Sequence, residues 1–135
     1  MVVKSHSKRL EIGLEVGLEN MQATTIHFVR HGEVENPNHV LYERLPGFHL
    51  SNRGLKMACA TAKYIATVPQ MRGISAIYSS PLERTQETAQ QIANALQISP
   101  IILDSRLIEA ENNFRGKRIG YGEGALWTVS YTHLR

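Results

Sequence analysis

Apolar positions fall into short blocks separated by breakers. Residues 25–30, Thr-Ile-His-Phe-Val-Arg, are β-branched and aromatic and predict a buried strand. Behind Ser51 the period changes: Leu55, Cys59, Ala62 and Ala66 recur at steps of four and three. That is a helical stripe, with Ser51 placed to cap it. Residues 73–79 form a second apolar run and predict a second strand. Ser80-Pro81-Leu82-Glu83 then reads as a capping box with Pro at the first helical position. The helix behind it puts Thr85, Ala89, Ile92, Ala93 and Leu96 on one face, and Pro100–Asp104 predicts a third strand. Residues 33–50 carry Asn36, Pro37, Asn38, Pro46 and Gly47 and no period. A connection of that length inside a compact domain is usually functional.

Leu10, Ile12, Leu14, Val16 and Leu18 alternate as an edge strand would, but Gly13 and Gly17 weaken the pattern. The expectation for residues 1–23 is a mobile extension, with Met21 a candidate start of the domain. The remaining order, strand–helix–strand–helix–strand, predicts a parallel α/β sheet, whose ligands bind beyond the carboxyl ends of its strands. His31 and the pair Ser79-Ser80 both fall at that edge.

Composition narrows the class. The chain has 135 residues, is 42% hydrophobic and contains one cysteine. It is a single soluble domain by composition, able to bury roughly 68–70% of its unfolded surface. Cys59 alone excludes a disulfide scaffold and fits a reducing compartment, so a cytoplasmic location is expected. No apolar run approaches the roughly 18–20 residues of a membrane span, and no apolar stretch behind the basic opening residues suggests a secretory signal. The net charge of +3 is local. Residues 1–20 and 21–111 each balance to zero, and the excess comes from Arg115, Lys117, Arg118 and Arg135 against Glu123. A nucleic-acid footprint would spread over a face, so no nucleic-acid partner is expected.

The candidate chemistry gathers at the strand ends. Arg30, His31 and Gly32 follow the first strand, and Gly32 permits a turn or a close approach. Arg84 lies in the first turn of the helix after the second strand, near its unpaired N–H groups. Two guanidiniums and a helix N-terminus around one imidazole suit a tetrahedral dianion. An imidazole so placed is best used as a nucleophile toward phosphorus, and it must be neutral to attack. The cations would lower its pKa, and a backbone acceptor would fix its tautomer. The plainer alternatives are a core role for His31, a helix-surface pair of Arg84 with Glu87, and solvated surface roles for Arg44, Arg106 and Glu109. Ser79 and Ser80 read as turn and cap. His27 and His31 are four apart, but on a strand that sets them roughly 13 Å apart, too far for one metal. No metal site, phosphate loop or dinucleotide fingerprint is expected, and no cofactor.

The stretches FVRHGE, LSNRG, IYSSPLERTQETA and DSRLIEAE together resemble the histidine phosphatase superfamily, which includes the phosphoglycerate mutases, over roughly residues 24–127. The resemblance implies a three-layer α/β/α domain with a mainly parallel sheet. It implies that His31 is phosphorylated during turnover, that Arg30, Gly32 and Arg84 hold the phosphoryl group, and that Glu109 protonates the leaving group. Asn36 matches the polar residue that touches phosphate, with Asn38 nearly as well placed. The implied activity is phosphomonoester hydrolysis or phosphoryl transfer on a small phosphorylated metabolite, with neither nucleic acid nor membrane as partner.

One departure matters. Family members carry a second catalytic His, in a Val-Ser-His-like segment well beyond the position of Glu109. This chain ends 26 residues after Glu109, and Tyr131 and Thr132 separate His133 from Val129-Ser130. His133 is not expected to serve. Residues 128–135 follow no family pattern, so residues 24–127 read as the N-terminal part of the domain, incomplete at the C-terminus, with weak or no turnover. A missing strand beside the first would leave an open sheet edge. The competing expectation is a phospho-ligand-binding module, or an inactive fragment of the fold.

Overall fold

A computed structural model describes residues 2–6, 24–110 and 115–118. Among these residues four strands and two α-helices follow one another: β1 (Val2–His6), β2 (Thr24–Phe28), α1 (Asn52–Thr67), β3 (Ile74–Ser79), α2 (Glu83–Leu96) and β4 (Ile102–Leu103). The sheet order is β2-β1-β3-β4. β1 pairs antiparallel with both β2 and β3, and β3 pairs parallel with β4. The three strands expected from the sequence therefore run in one direction, and β1 runs against them. Among the described residues the sheet is mixed, and the expected mainly parallel one is not found there.

Residues 2–6 were expected to lie in a mobile extension; instead they form a central strand. Val3 is fully buried, facing His27 of β2 on one side and Ile77 of β3 on the other. β2, expected to be buried, is an edge strand with exposed side chains at four of its five positions.

Strand parity divides the sheet into two faces. Val3 and Ile77 join Ala62 and Ile65 of α1 and Ala89, Ile92 and Ala93 of α2 in one core cluster. Both helices thus cover the same face. Val2, Ile26, Phe28, Tyr78 and Ile102 share the opposite face by register. Among the described residues no helix packs there, and Phe28 is 81% exposed. The expected third layer is not found among them.

α1 begins where the sequence placed it. The Ser51 hydroxyl accepts from the Gly54 amide at 3.0 Å, which satisfies one of the first-turn donors. Its buried stripe is Gly54, Ala58, Ala62 and Ile65, so Leu55, Cys59 and Ala66, expected inside, face outward. Gly54 explains the offset. A Cβ there would sit 1.9 Å from the Glu33 carbonyl oxygen, and one on Gly32 would sit 2.3 Å from the Gly54 carbonyl oxygen. The start of α1 is pressed backbone to backbone against the turn after β2, and that contact sets its rotation.

α2 buries Thr85, Ala89, Ile92 and Ala93 as the pattern predicts, together with Arg84 and Thr88. The expected capping box does not form. α2 starts at Glu83 with Leu82 as its cap residue, and Ser80 Oγ lies 2.8 Å from Thr85 Oγ1. Its C-terminus turns through Gln97 in the left-handed region, and the Ile98 amide donates to the Ala93 carbonyl. No helix of the described residues is long and apolar enough to cross a membrane. The expected tail at 128–135, with His133, lies outside the described residues, as do Leu10 to Leu18.

Candidate active site

β2 and β3 both point their carboxyl ends at the same edge, so the segments that leave them meet there. After β2 the chain passes Val29 and Arg30 to His31. The His31 Nδ1–H donates to the Gly32 carbonyl at 2.7 Å, which leaves Nε2 as the unprotonated nitrogen of a neutral ring. Burial is the largest influence on this imidazole and lowers its pKa below 6.5. The Gly32 hydrogen bond opposes that shift, while the charges of Arg84 and Arg30 reinforce it and that of Glu109 opposes it. Sequence reasoning credited the cations; burial counts for more.

Behind the ring, the Gly32 amide donates to Thr88 Oγ1 at 3.2 Å, and the Thr88 hydroxyl donates to the Arg84 carbonyl at 2.9 Å. Thr88 thereby locks the His31–Gly32 turn to the first turns of α2. Sequence reasoning gave Thr88 no role, although it lies one turn beyond Arg84 in the stretch IYSSPLERTQETA that carries the resemblance.

Arg84 is fully buried. Its guanidinium lies over the Tyr42 ring, 4.7 Å from the centroid, and Nη2 donates to the Glu43 carbonyl. Tyr42 in turn presents an edge to His31, with centroids 6.3 Å apart, and stacks on Phe48 at 5.1 Å. His31 and Arg84 are joined through one aromatic ring. Nε and Nη1 of Arg84 are buried and have no hydrogen-bond partner among the described residues. A charged group with two such orphan donors is costly to leave unpaired, and an anion would satisfy both.

Glu109 approaches the same guanidinium, with Oε2 3.8 Å from Arg84 Nη2, and its carboxylate is half exposed. The Arg44 Nε–H donates to the Glu109 carbonyl at 2.6 Å and so tethers this segment to the loop. Arg30 is exposed, and its charge adds to the lowering of the His31 pKa. Asn36 is spent inside the loop: Nδ2 donates to the Val40 carbonyl at 2.8 Å, and Oδ1 accepts from the Val40 amide at 2.9 Å. Asn38 is exposed. Arg106 is exposed and pairs with Asp104 at 2.6 Å, holding that carboxyl down at about 2. Of the expected site residues, the structure brings together His31, Gly32, Arg84 and Glu109, with Arg30 at the margin and Asn36 turned to the loop itself.

Residues 33–50 wrap this edge. Glu35 donates its amide to His49, Ser51 donates to Glu33, and Leu41 exchanges hydrogen bonds with Gly116 and Lys117. The described residues hold no cluster of three or more His, Cys, Asp or Glu that would take a metal ion. The arrangement is one for gripping a small oxyanion beside a neutral imidazole nitrogen, at the carboxyl edge of an α/β sheet.

The family comparison agrees with that geometry. The chain belongs to the histidine phosphatase superfamily (branch 1), whose model matches residues 26–118. It is 48% identical over 104 residues to the uncharacterized protein Rv0525 of Mycobacterium tuberculosis, covering 77% of this chain and 49% of that protein. It is 32% identical over 88 residues to the bifunctional protein Rv2228c of the same species, covering 65% of this chain and 23% of that one. A third relative, the uncharacterized protein Mb2253c of Mycobacterium bovis, matches to the same extent as Rv2228c. The chain spans about half the length of the first of these relatives, and less of the others.

Proposed function

We propose that this site transfers a phosphoryl group from a small phosphomonoester onto Nε2 of His31. In that step the Nε2 lone pair forms a P–N bond as the ester P–O bond breaks, and the leaving oxygen takes a proton from Glu109 in its acid form. Water then attacks the phosphohistidine to release phosphate, or a second hydroxyl accepts the group. The fully buried Arg84, with Nε and Nη1 unpaired among the described residues and beside a neutral imidazole, carries this reading. Those two donors would bind the equatorial oxygens, where charge develops in the transition state. Family membership supports hydrolase or transferase chemistry of this kind. Arg30 adds field at the mouth.

The test is to mix the chain with a radiolabelled phosphomonoester and quench in alkali. Acid-labile, alkali-stable label that is absent from His31→Ala is the expected result. Affinity for inorganic phosphate with no label, unchanged in His31→Ala, would assign a phospho-ligand-binding module instead.

A further inference from the structure

We infer that Glu87 is a positioning residue, which sets residues 42–48 over the His31–Arg84 pair by gripping the far end of their loop. The inference rests on the phosphoryl reading of the site and deepens it.

The grip uses both carboxylate oxygens. The His49 Nδ1–H donates to Glu87 Oε1 at 2.5 Å, and the Leu50 amide donates to Oε2 at 2.7 Å. One turn earlier, Glu83 Oε1 accepts from the Gly47 amide at 3.1 Å. Residues four apart on a helix share a face, and two like charges so placed repel. Glu83 and Glu87 are tolerable together because each is answered by the loop. Between them in sequence, Arg84 takes the Glu43 carbonyl and the face of Tyr42. One stretch of α2 therefore holds the loop at four successive places, Tyr42–Glu43, Gly47, His49 and Leu50.

The loop has a second anchor at Leu41, through Gly116 and Lys117. Between the anchors lies the tip, residues 42–48, which covers the guanidinium that an anion must reach. Arg84 has no exposed surface, so Tyr42 and Glu43, which lie against it, have to yield for phosphate to enter. Gly47, at φ 78°, lies in the part of the tip that adjoins the Glu87 grip, in a conformation that a side chain would strain. Glu87 holds the base of the moving part in register, so that Tyr42 returns to the same place beside His31.

The grip also depends on pH. His49 is exposed, and its hydrogen bond and charge pairing with Glu87 raise its pKa, with Glu83 adding to the effect. The charged pair is complete below the ordinary histidine value of 6.5. It is lost as pH rises through the raised value.

The experiment compares the full chain with Glu87→Ala, Glu87→Gln and His49→Ala. Inorganic phosphate binding, donor dependence of His31 labelling, and amide exchange across residues 41–50 are the readouts. In Glu87→Ala, phosphate affinity should fall about tenfold, within the range expected of a misplaced binding element. The apparent affinity for the labelling donor should fall while the maximal labelling rate holds. Exchange should quicken from Tyr42 to Leu50. Glu87→Gln, which still accepts from Leu50, should recover most of the affinity but lose its dependence on His49 protonation. His49 is exposed, so His49→Ala tests the same pH dependence even where Glu87→Ala fails to fold. Unchanged phosphate affinity in folded Glu87→Ala, or unchanged pH dependence in His49→Ala, would overturn the inference. If the wild type neither binds phosphate nor takes label, the phosphoryl reading fails. Exchange then decides the positioning: spread over 42–48 upholds it, and confinement to Leu50 overturns it.

Discussion

Arg84 and Phe28 occupy each other's customary places. The side chain that is always charged is fully buried, and the aromatic is 81% exposed. Arg84 sits at the carboxyl edge of the sheet, on the face that both helices cover, held by Tyr42 and Glu43. Phe28 sits on the other face, beside Val2 and Ile26, where no helix packs among the described residues. The covered region spends packing to bury a charge, as a pocket for an anion would. The uncovered region leaves apolar surface exposed and gains no packing from it among the described residues.

The largest expected effect separates the two faces by stability. Ile77→Ala should cost about 2–5 kcal/mol in chemical denaturation, because Ile77 is fully buried between Val3 and the helices. Phe28→Ser should change stability by only about 0.5 kcal/mol and should raise solubility. Equal costs for the two would mean that the Phe28 face is covered, and the comparison would break.

Arg84→Met comes next. Two charge-assisted hydrogen bonds to an anion contribute about 1.5–3 kcal/mol each, so phosphate affinity by calorimetry should fall about a hundredfold or more. Stability without ligand should hold or rise, since an apolar side chain of similar volume replaces a charge with unpaired donors. A large loss of stability would show that Arg84 is structural.

Thr88→Val sharpens the same region. It orphans the Gly32 amide and should cost about 1–3 kcal/mol, with His31 losing its fixed orientation. Denaturation together with His31 labelling checks both effects.

The smallest effect is a pH slope. His31 has a lowered pKa in the folded chain, so between that value and 6.5 the unfolded chain binds more protons. Stability contributed by the neutral ring is present above 6.5 and is lost as pH falls through that window. His31→Asn should flatten the slope in denaturation midpoints between pH 5 and 7, taken as a range about the ordinary histidine value.

The sequence was most legible where the signal is local. Ser51 caps α1 because a hydroxyl before a helical period satisfies its orphan amides, and that needs no tertiary knowledge. The convergence of His31 and Arg84 was legible because each follows a strand with a fixed direction, whereas Glu109 entered only through the family resemblance. β1 was not. Val2–His6 carries little pattern of its own and gains its order from two distant strands. The α1 stripe was misplaced by one residue because the Gly32–Gly54 approach, a contact between backbones, decides its rotation. Tyr42, Glu43 and His49 lie in an aperiodic loop, and Glu87 on a helix surface reads as solvated. Their roles depend on how that loop folds back.

The account rests on a neutral His31 ring with its proton on Nδ1 and a lone pair on Nε2. Nitrogen-15 NMR of histidine-labelled protein at pH 7 reads both nitrogens directly, with His31→Asn giving the assignment. The account predicts a protonated Nδ1, an unprotonated Nε2 that shifts when inorganic phosphate is added, and titration below pH 6.5. An imidazolium at pH 7, or a proton resident on Nε2, would contradict it.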